Sequence, residues 1–374
     1  MLVKCLRPIF LLLIVLEKNG MNCLSINFNK SMTTPSINSY PCIPVMGVSV
    51  LEDPLNFVYR LAKSIDFCVS HFVLVLPAGG DRRSTEHPVA VSFMNGCNKS
   101  LFGFINITCT GDHLLGVAEG WNSILKSKPD APWYLICGYD VQFLPKQLET
   151  LSIRFWNQSG ELEKLQWKGS YGNIRGAESP PIKTIGNFIH TKWKNLPGGK
   201  GFSLFALSKE ILQNVGYFDE NLFPAFWEDR DYKIRLRLWK GTRIRTYRDI
   251  RPIHGLYLGL SQGDNNHSLF SSSSSISKAY QRDRKVQYIS GTSYLSQSWK
   301  TLSHMAGREN REYACQKWGC SLKLSVTKYD LLNCTYKTPF NLKDVSLSHW
   351  VRNESRIGWL RKEYRRLILA VDAP

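Results

Sequence analysis

Apolar and polar positions along the chain fall into short runs that switch between two periods. Pro44-Val-Met-Gly-Val-Ser-Val-Leu51 is a β-rich run that ends at Glu52-Asp53. Pro54 then opens Leu55–Lys63, whose apolar spacing is helical, and proline suits a first helical turn. His71–Leu76 reads as a buried strand closed by Pro77-Ala-Gly-Gly80, and 101–108 as a third strand. A helix is predicted over 114–126 and a fourth strand over 132–137. Strand, helix, strand, strand, helix, strand in this compass predicts an α/β fold, a mostly parallel sheet flanked by crossover helices. Ligands of such sheets bind beyond the carboxyl ends of the strands. The loops after Leu51, Leu76 and Cys137 are therefore where chemistry is sought.

Residues 151–200 mix aromatics, charges and glycines without a clear period. Order returns at Gly198–Leu207, followed by a helix over 208–215 and a turn at Gly216-Tyr-Phe-Asp219. A helix is predicted from Glu228 to about Lys240, stopping at Gly241, and 242–247 alternates like a strand. Ser271–Ser275 reads as a surface loop. The remainder is basic and aromatic, with helical stretches around 277–287 and 356–369.

Composition narrows the partners. A chain of 374 residues, 43% hydrophobic, has enough apolar surface for a sizeable core. The formal charge of +18 calls for an acidic partner: nucleic acid, an anionic membrane face or a phosphorylated small substrate. Nucleic-acid binders cluster their charge among aromatics. Here the basic residues are spread out, densest at 233–251 and 356–366, and no nucleic-acid partner is expected.

Lys4 and Arg7 precede the apolar run Pro8–Leu16, which is too short for a stable span of about 20 residues. A basic flank before a short apolar core is the pattern of a secretory signal, or of a short signal-anchor with snorkelling flanks. The competing reading is a buried strand, against which stands the polar, linker-like stretch that follows. The expected organisation is a signal or anchor over 1–18, a linker over 19–43, a catalytic unit over 44–256 and a basic C-terminal extension over 257–374. Asn-x-Ser/Thr acceptors at Asn29, Asn98, Asn106, Asn157, Asn266, Asn333 and Asn353 agree with entry into the secretory pathway. None of the ten cysteines has zinc-site spacing. Cys97 and Cys109, and Cys315 with Cys320 and Cys334, are the expected disulfide formers.

Three constellations could carry chemistry. Gly138-Tyr139-Asp140 follows an apolar strand, where a carboxylate can hold a divalent cation against a pyrophosphate leaving group; taken alone, it also reads as a turn aspartate bonding its own backbone. Glu228-Asp229-Arg230-Asp231 opens a helix. Acids in a first turn satisfy the helix dipole without any function. The aromatic entry Leu222-Phe-Pro-Ala-Phe-Trp227, however, would deliver these acids into a cleft, where one could deprotonate an acceptor hydroxyl. His254, in Arg251-Pro-Ile-His-Gly255, follows a strand and is a candidate ligand.

In this order the elements resemble the GT-A glycosyltransferases, family 2 most closely. The matching segments are Val48-Ser49-Val50, Gly116–Asn122, Trp133–Asp140, Gly199-Lys-Gly-Phe-Ser-Leu-Phe205, Val215–Glu220, Phe223–Tyr232 and Ile253-His-Gly255. Glu-Asp-x-Asp preceded by Gly-x-Phe-Asp-Glu is the most specific of them. Tyr313–Gly319 and Pro339-Phe-Asn341 resemble a tail that some eukaryotic members carry. The resemblance implies a GT-A (Rossmann-like) fold and an inverting transfer from a nucleoside-diphosphate sugar to a glycan or glycoprotein acceptor. It implies Asp229 as the base with Glu228 beside it, and Mn²⁺ or Mg²⁺ held by Asp140 and His254. Glu52 or Asp53 would lie near the nucleotide base, with Gly199 and Trp227 also against the nucleotide sugar. Gly138 stands where many members have an aspartate. The Pro77–Gly80 loop lacks the acid that often contacts uracil, and Asp81 is the nearest substitute. The address implied is the ER or Golgi lumen, with membrane attachment through the N-terminal segment. Two rival readings are a catalytically inactive member that binds nucleotide sugar or a partner, and a polyanion-binding protein built on the charge excess, which would show steep salt dependence.

Overall fold

The structure, a computed structural model, describes residues 23–27, 41–53, 55–77, 87–110, 114–159, 186–191, 202–238, 242–247, 250, 252–254, 256–258, 287–289, 297–318 and 353–371. In chain order the elements begin with β1 (Cys23–Asn27), β2 (Ile43–Ser49), α1 (Phe57–Ser64), β3 (Val69–Leu76), α2 (Pro88–Gly96), β4 (Phe102–Cys109), α3 (Val117–Ser127) and β5 (Trp133–Gly138). They continue with β6 (Val141–Gln142), α4 (Gln147–Ser159), β7 (Gly186–Thr191), β8 (Leu204–Ser208), α5 (Lys209–Val215), α6 (Glu228–Leu238) and β9 (Thr242–Tyr247). Short strands β10 (Ile253–His254), β11 (Leu256–Leu258) and β12 (Gln287–Ile289) precede the long helices α7 (Gln297–Trp318) and α8 (Glu354–Val371).

Eight strands form one sheet in the order β1-β4-β3-β2-β5-β8-β7-β9. The pairs β2–β3, β3–β4 and β2–β5 are parallel, whereas β8 runs antiparallel to both β5 and β7. The fold is thus α/β around a mixed, largely parallel sheet, as the alternation of periods predicts. All seven residues of β2 are buried, as a central strand with both faces covered requires. On one face Met46, Phe72, Leu74 and Trp133 pack with Phe57 and Leu61 of α1, Phe93 of α2 and Phe155 of α4. On the other, Val45, Val73 and Ile136 pack with Trp121 and Ile124 of α3, Leu212 of α5 and Tyr232 of α6. Helix α3 lies so close to β2 that a Cβ at Gly47 would sit 2.3 Å from Ile124 and one at Gly120 2.0 Å from the Ser49 hydroxyl. Only glycine permits that approach.

Several expectations change. Residues 23–27, read as linker, form the edge strand β1, antiparallel to β4. The stretch from 151 begins inside α4, and α2 and α7 were not anticipated. No disulfide joins Cys97 to Cys109, because they flank β4 at opposite ends. Eight residues of strand span roughly 26 Å, far beyond the Cα separation that a disulfide bridges. Cys315 is a free thiol, and Cys320 and Cys334 lie outside the described residues. The bridge that exists is Cys42–Cys68, with Cα atoms 4.9 Å apart, at the entries to the adjacent parallel strands β2 and β3. Replacing Cys42 with serine reopens a loop of 26 residues. That change is expected to cost about 2–4 kcal/mol, read as a lower urea midpoint that reductant no longer affects.

The N-terminal segment before Cys23, the serine run and the 277–286 stretch lie outside the described residues. Among the described residues no helix is long and apolar enough to cross a membrane.

Candidate active site

Strands β2, β3 and β4 follow one another toward one edge of the sheet, and β5 then returns to the other side of β2. This reversal of strand order opens a crevice at the carboxyl ends of β2 and β5. Ser49 pairs with Gly138 at the last rung, so the segments 50–53 and 139–140 emerge side by side. Asp140 is buried there, 5% exposed. The Asp53 carboxylate accepts hydrogen bonds from the N–H groups of Phe57 (2.7 Å) and Val58 (3.0 Å), so it caps α1 while lining the crevice. Burial raises the Asp53 pKa, the two amides draw it back, and the charge of Asp140 adds to the rise. Tyr139 titrates well above the usual phenol range, through burial first and then the charges of Asp140, Asp53 and Glu52.

His254 reaches the same place by backbone register. Strand β10 pairs antiparallel with β6, setting His254 opposite Val141, next to Asp140 in sequence. Gly138, which stands where the missing acid would be, is tightly surrounded: a Cβ there would lie 3.0 Å from the Asp140 Oδ1, so that carboxylate would have to shift to admit a side chain. Its N–H donates to the Ser203 carbonyl at 2.7 Å, tying the start of β8 to the end of β5. Asp81 and Gly199 lie outside the described residues. Among the described residues no group of three or more His, Cys, Asp or Glu side chains gathers as a metal cage.

The acids of α6 separate into two kinds. Asp231 is fully buried, with one oxygen 3.0 Å from Arg235 Nε and the other 2.6 Å from Lys317 Nζ. Lys317 also meets Asp219 at 2.7 Å, and Arg235 donates to the carbonyls of Val215 and Tyr217 at 2.8 Å. Burial alone would lower the Lys317 pKa, but Asp219 and then Asp231 more than offset it and the net shift is upward. This network ties the Gly216–Asp219 turn, α6 and α7 together. Asp229 is instead partly buried, its side chain 17% exposed, in an i,i+4 pair with Lys233 at 3.1 Å. The Lys233 ammonium lies 4.6 Å over the Phe202 ring, just before Ser203. Asp229 is thereby connected, through Lys233 and Phe202, to the same strand end that carries Asp140.

Glu228 differs again. It is 8% exposed, and its Oε2 is buried without a hydrogen-bond partner. Burial, then the charge of Asp229, pushes its pKa up to about 8.

The approach to these acids is strained. Phe226 and Trp227 both have positive φ, 75° and 78°, a region that costs a bulky residue about 1–3 kcal/mol. Side chains from α7 and α8 hold it there. Buried Asn310 donates to the carbonyls of Ala225 (2.8 Å) and Phe226 (3.3 Å), and accepts from Arg356 at 2.6 Å. Leu302, Ala306, Ile357 and Leu360 pack against Phe223 and Ala225. Trp227 is buried with the Arg230 guanidinium 4.3 Å over its ring, and the Pro224 carbonyl accepts from the first N–H of α3. Asn122 of α3 bonds Phe218 and Glu220, fixing the turn that precedes the loop. Asn310, Tyr313 and Lys317 reach this site from α7, and the only sequence signal among them is the resemblance of 313–319 to a tail segment.

No family model matches the chain. Over 153 aligned residues it is 29% identical to a galactofuranosyl glycosyltransferase from Leishmania donovani, a match covering 32% of this chain and 35% of that protein. The chain thus spans about a third of the length of the curated relative it matches. Among solved structures, a mannosyltransferase from Pyrobaculum calidifontis in complex with GDP-Man and Mn²⁺ aligns with TM-score 0.37 and 12% identity, over 88% of this chain and 87% of that one. The inositol-1-phosphate CTP transferase from T. maritima aligns with TM-score 0.32 and 10% identity, over 56% of this chain and 88% of that one. In its sequence the chain is similar, over part of its length, to a glycosyltransferase.

Proposed function

We propose that the chain is a nucleotide-sugar-dependent glycosyltransferase that inverts configuration, with Asp229 as its base. The observation that carries this reading is the division of labour on α6: Asp231 is locked in a buried ion network, whereas Asp229 is partly exposed in a single pair that it can leave. Asp229 takes the proton of an acceptor hydroxyl, whose oxygen attacks the anomeric carbon opposite the diphosphate. The anomeric carbon–oxygen bond breaks, and the nucleoside diphosphate leaves with the electron pair. Glu52 and Asp53, beside the switch in strand order, lie where a nucleotide base would sit. Trp227, beneath Arg230, would wall the sugar side of the crevice.

Asp140 and His254 would hold Mn²⁺ or Mg²⁺, and the crowding of Asp140 with Asp53 suits a cation that takes its remaining ligands from diphosphate and water. When bound, such an ion neutralises charge on the departing diphosphate. The acceptor is a hydroxyl on a glycan or glycoprotein. The Cys42–Cys68 bridge supports an oxidising, luminal address; attachment through the N-terminal segment would go with it.

A panel of nucleoside-diphosphate sugars with added Mn²⁺ tests this: at least one should release its nucleoside diphosphate and raise the melting temperature. Turnover of none, with no thermal shift, would overturn the proposal. A second reading, a member that binds donor without turnover, is favoured by Gly138, which offers no carboxylate beside Asp140. Its signature is a thermal shift without product.

A further inference from the structure

Glu228 poses a question that the base assignment leaves unanswered. Its Oε2 has no partner, although the side chain is more than nine-tenths buried. Buried polar atoms without partners are rare enough that each calls for an explanation. A charged carboxylate there would need a cation, and among the described residues the charged groups that act on it, Asp229, Lys233 and Arg230, all lie on its own helix. Lys233 is already paired with Asp229, and Arg230 is stacked on Trp227. The residues immediately before Glu228 are the strained pair Phe226 and Trp227, and strain of this kind collects at ligand clamps and active sites. Nothing in the fold of α6 itself needs Glu228 to be acidic, since its first turn also holds Asp229 and Asp231.

We infer that Glu228 is a neutral carboxylic acid that contacts substrate, its buried carboxyl bonding a hydroxyl of the bound saccharide while Asp229 alone takes the proton. Resting on the glycosyltransferase reading, this assigns the two adjacent acids opposite protonation states. No proton leaves Glu228 in the reaction. It donates to the sugar oxygen, which satisfies the orphaned atom only in the complex. A carboxyl kept neutral can serve as a hydrogen-bond donor in an apolar site. Loss of such a partner also gives discrimination, because a saccharide lacking that hydroxyl leaves the buried group unpaired. The raised pKa of Glu228 agrees with this protonation state.

Two measurements decide it. The first needs no substrate: the melting temperature of the wild type and of Glu228→Gln is followed against pH. The folded state keeps the proton up to about 8, whereas the unfolded chain releases it near 4.5, the ordinary value for a glutamate. Wild-type stability should therefore fall relative to Glu228→Gln as pH rises between these values, and level off above them. Parallel curves would overturn the neutral acid. The second uses the donor and acceptor that turn over in the Mn²⁺ panel. Glu228→Ala should lower transfer by about 10–100-fold, the loss of one or two charge-free contacts in a buried site, and Glu228→Gln should recover most of it. A Gln variant as poor as Ala would sink the proposal. A loss confined to KM for the donor assigns the hydroxyl to the donor sugar; a loss confined to transfer, with donor hydrolysis intact, assigns it to the acceptor. If no donor turns over, the glycosyltransferase reading fails while the pH comparison still judges Glu228.

Discussion

Asp229→Asn should lower sugar transfer by roughly 10²–10⁴-fold, the usual contribution of a positioned general base, while leaving the fold intact. The stability half follows from the partner it loses. An i,i+4 ion pair on a helix contributes about 0.3–0.5 kcal/mol, and the pair with Lys233 is of that kind, partly buried with side chains 17% and 28% exposed. A purified variant should therefore melt within a degree or two of wild type, by an order-of-magnitude conversion from so small a difference. The same change at Asp231 would confound the test, because that carboxylate holds Arg235 and Lys317 in the interior. An Asp229→Asn protein that turns over at the wild-type rate would remove the base from α6 altogether.

Lys317→Met should be the most destabilising single change at this site, costing about 3–5 kcal/mol, the range for removing one partner of a buried ion pair. The ammonium stands between Asp219 and Asp231, and all three side chains are at most 5% exposed. Methionine fills the volume but leaves Asp219 with only the Tyr313 hydroxyl and the Asn221 N–H to answer its charge. Asp231 keeps Arg235. The double variant Lys317→Met with Asp219→Asn should regain part of the loss, because the two residues share one interaction. Denaturant titration of the four proteins measures this coupling. A coupling near zero would mean that the network does not act as a unit.

The strands beside the crevice were readable because each of β2, β3 and β5 is a continuous apolar run, as burial on both faces demands. The acids of α6 were readable as a helix start, and their separation into structural and exposed members was not. That separation depends on Lys317 and Asp219, which are remote in sequence from α6. Helix α7 was missed for a related reason. Its inward positions are Leu302, Ala306, Asn310, Ala314 and Lys317, spaced for a helix but mostly small or polar, so hydrophobic periodicity is silent there. Helix α4 has the opposite fault. Leu148, Leu151, Phe155 and Trp156 are a good helical face, but it runs into the aromatic-rich stretch beyond and is hidden in it. Cys42–Cys68 was missed because the pairing depends on two strand entries that meet only when β2 and β3 lie side by side.

Asp219 lies 98 residues before the lysine that neutralises it. A ribosome making this chain therefore releases the sheet, the turn and the acid-bearing helix well before their counter-charge exists. Segments tend to fold in the order they emerge, so the Asp219 carboxylate must wait in water while Asp231 has Arg235 of its own helix, and the loop at Phe226 lacks the bonds to its carbonyls until Asn310 arrives. Chains cut short before α7 should carry the paired strand ends of β2 and β5 without a fixed position for Asp229. Competence for transfer would then be acquired late in synthesis, after most of the polypeptide has already left the exit tunnel.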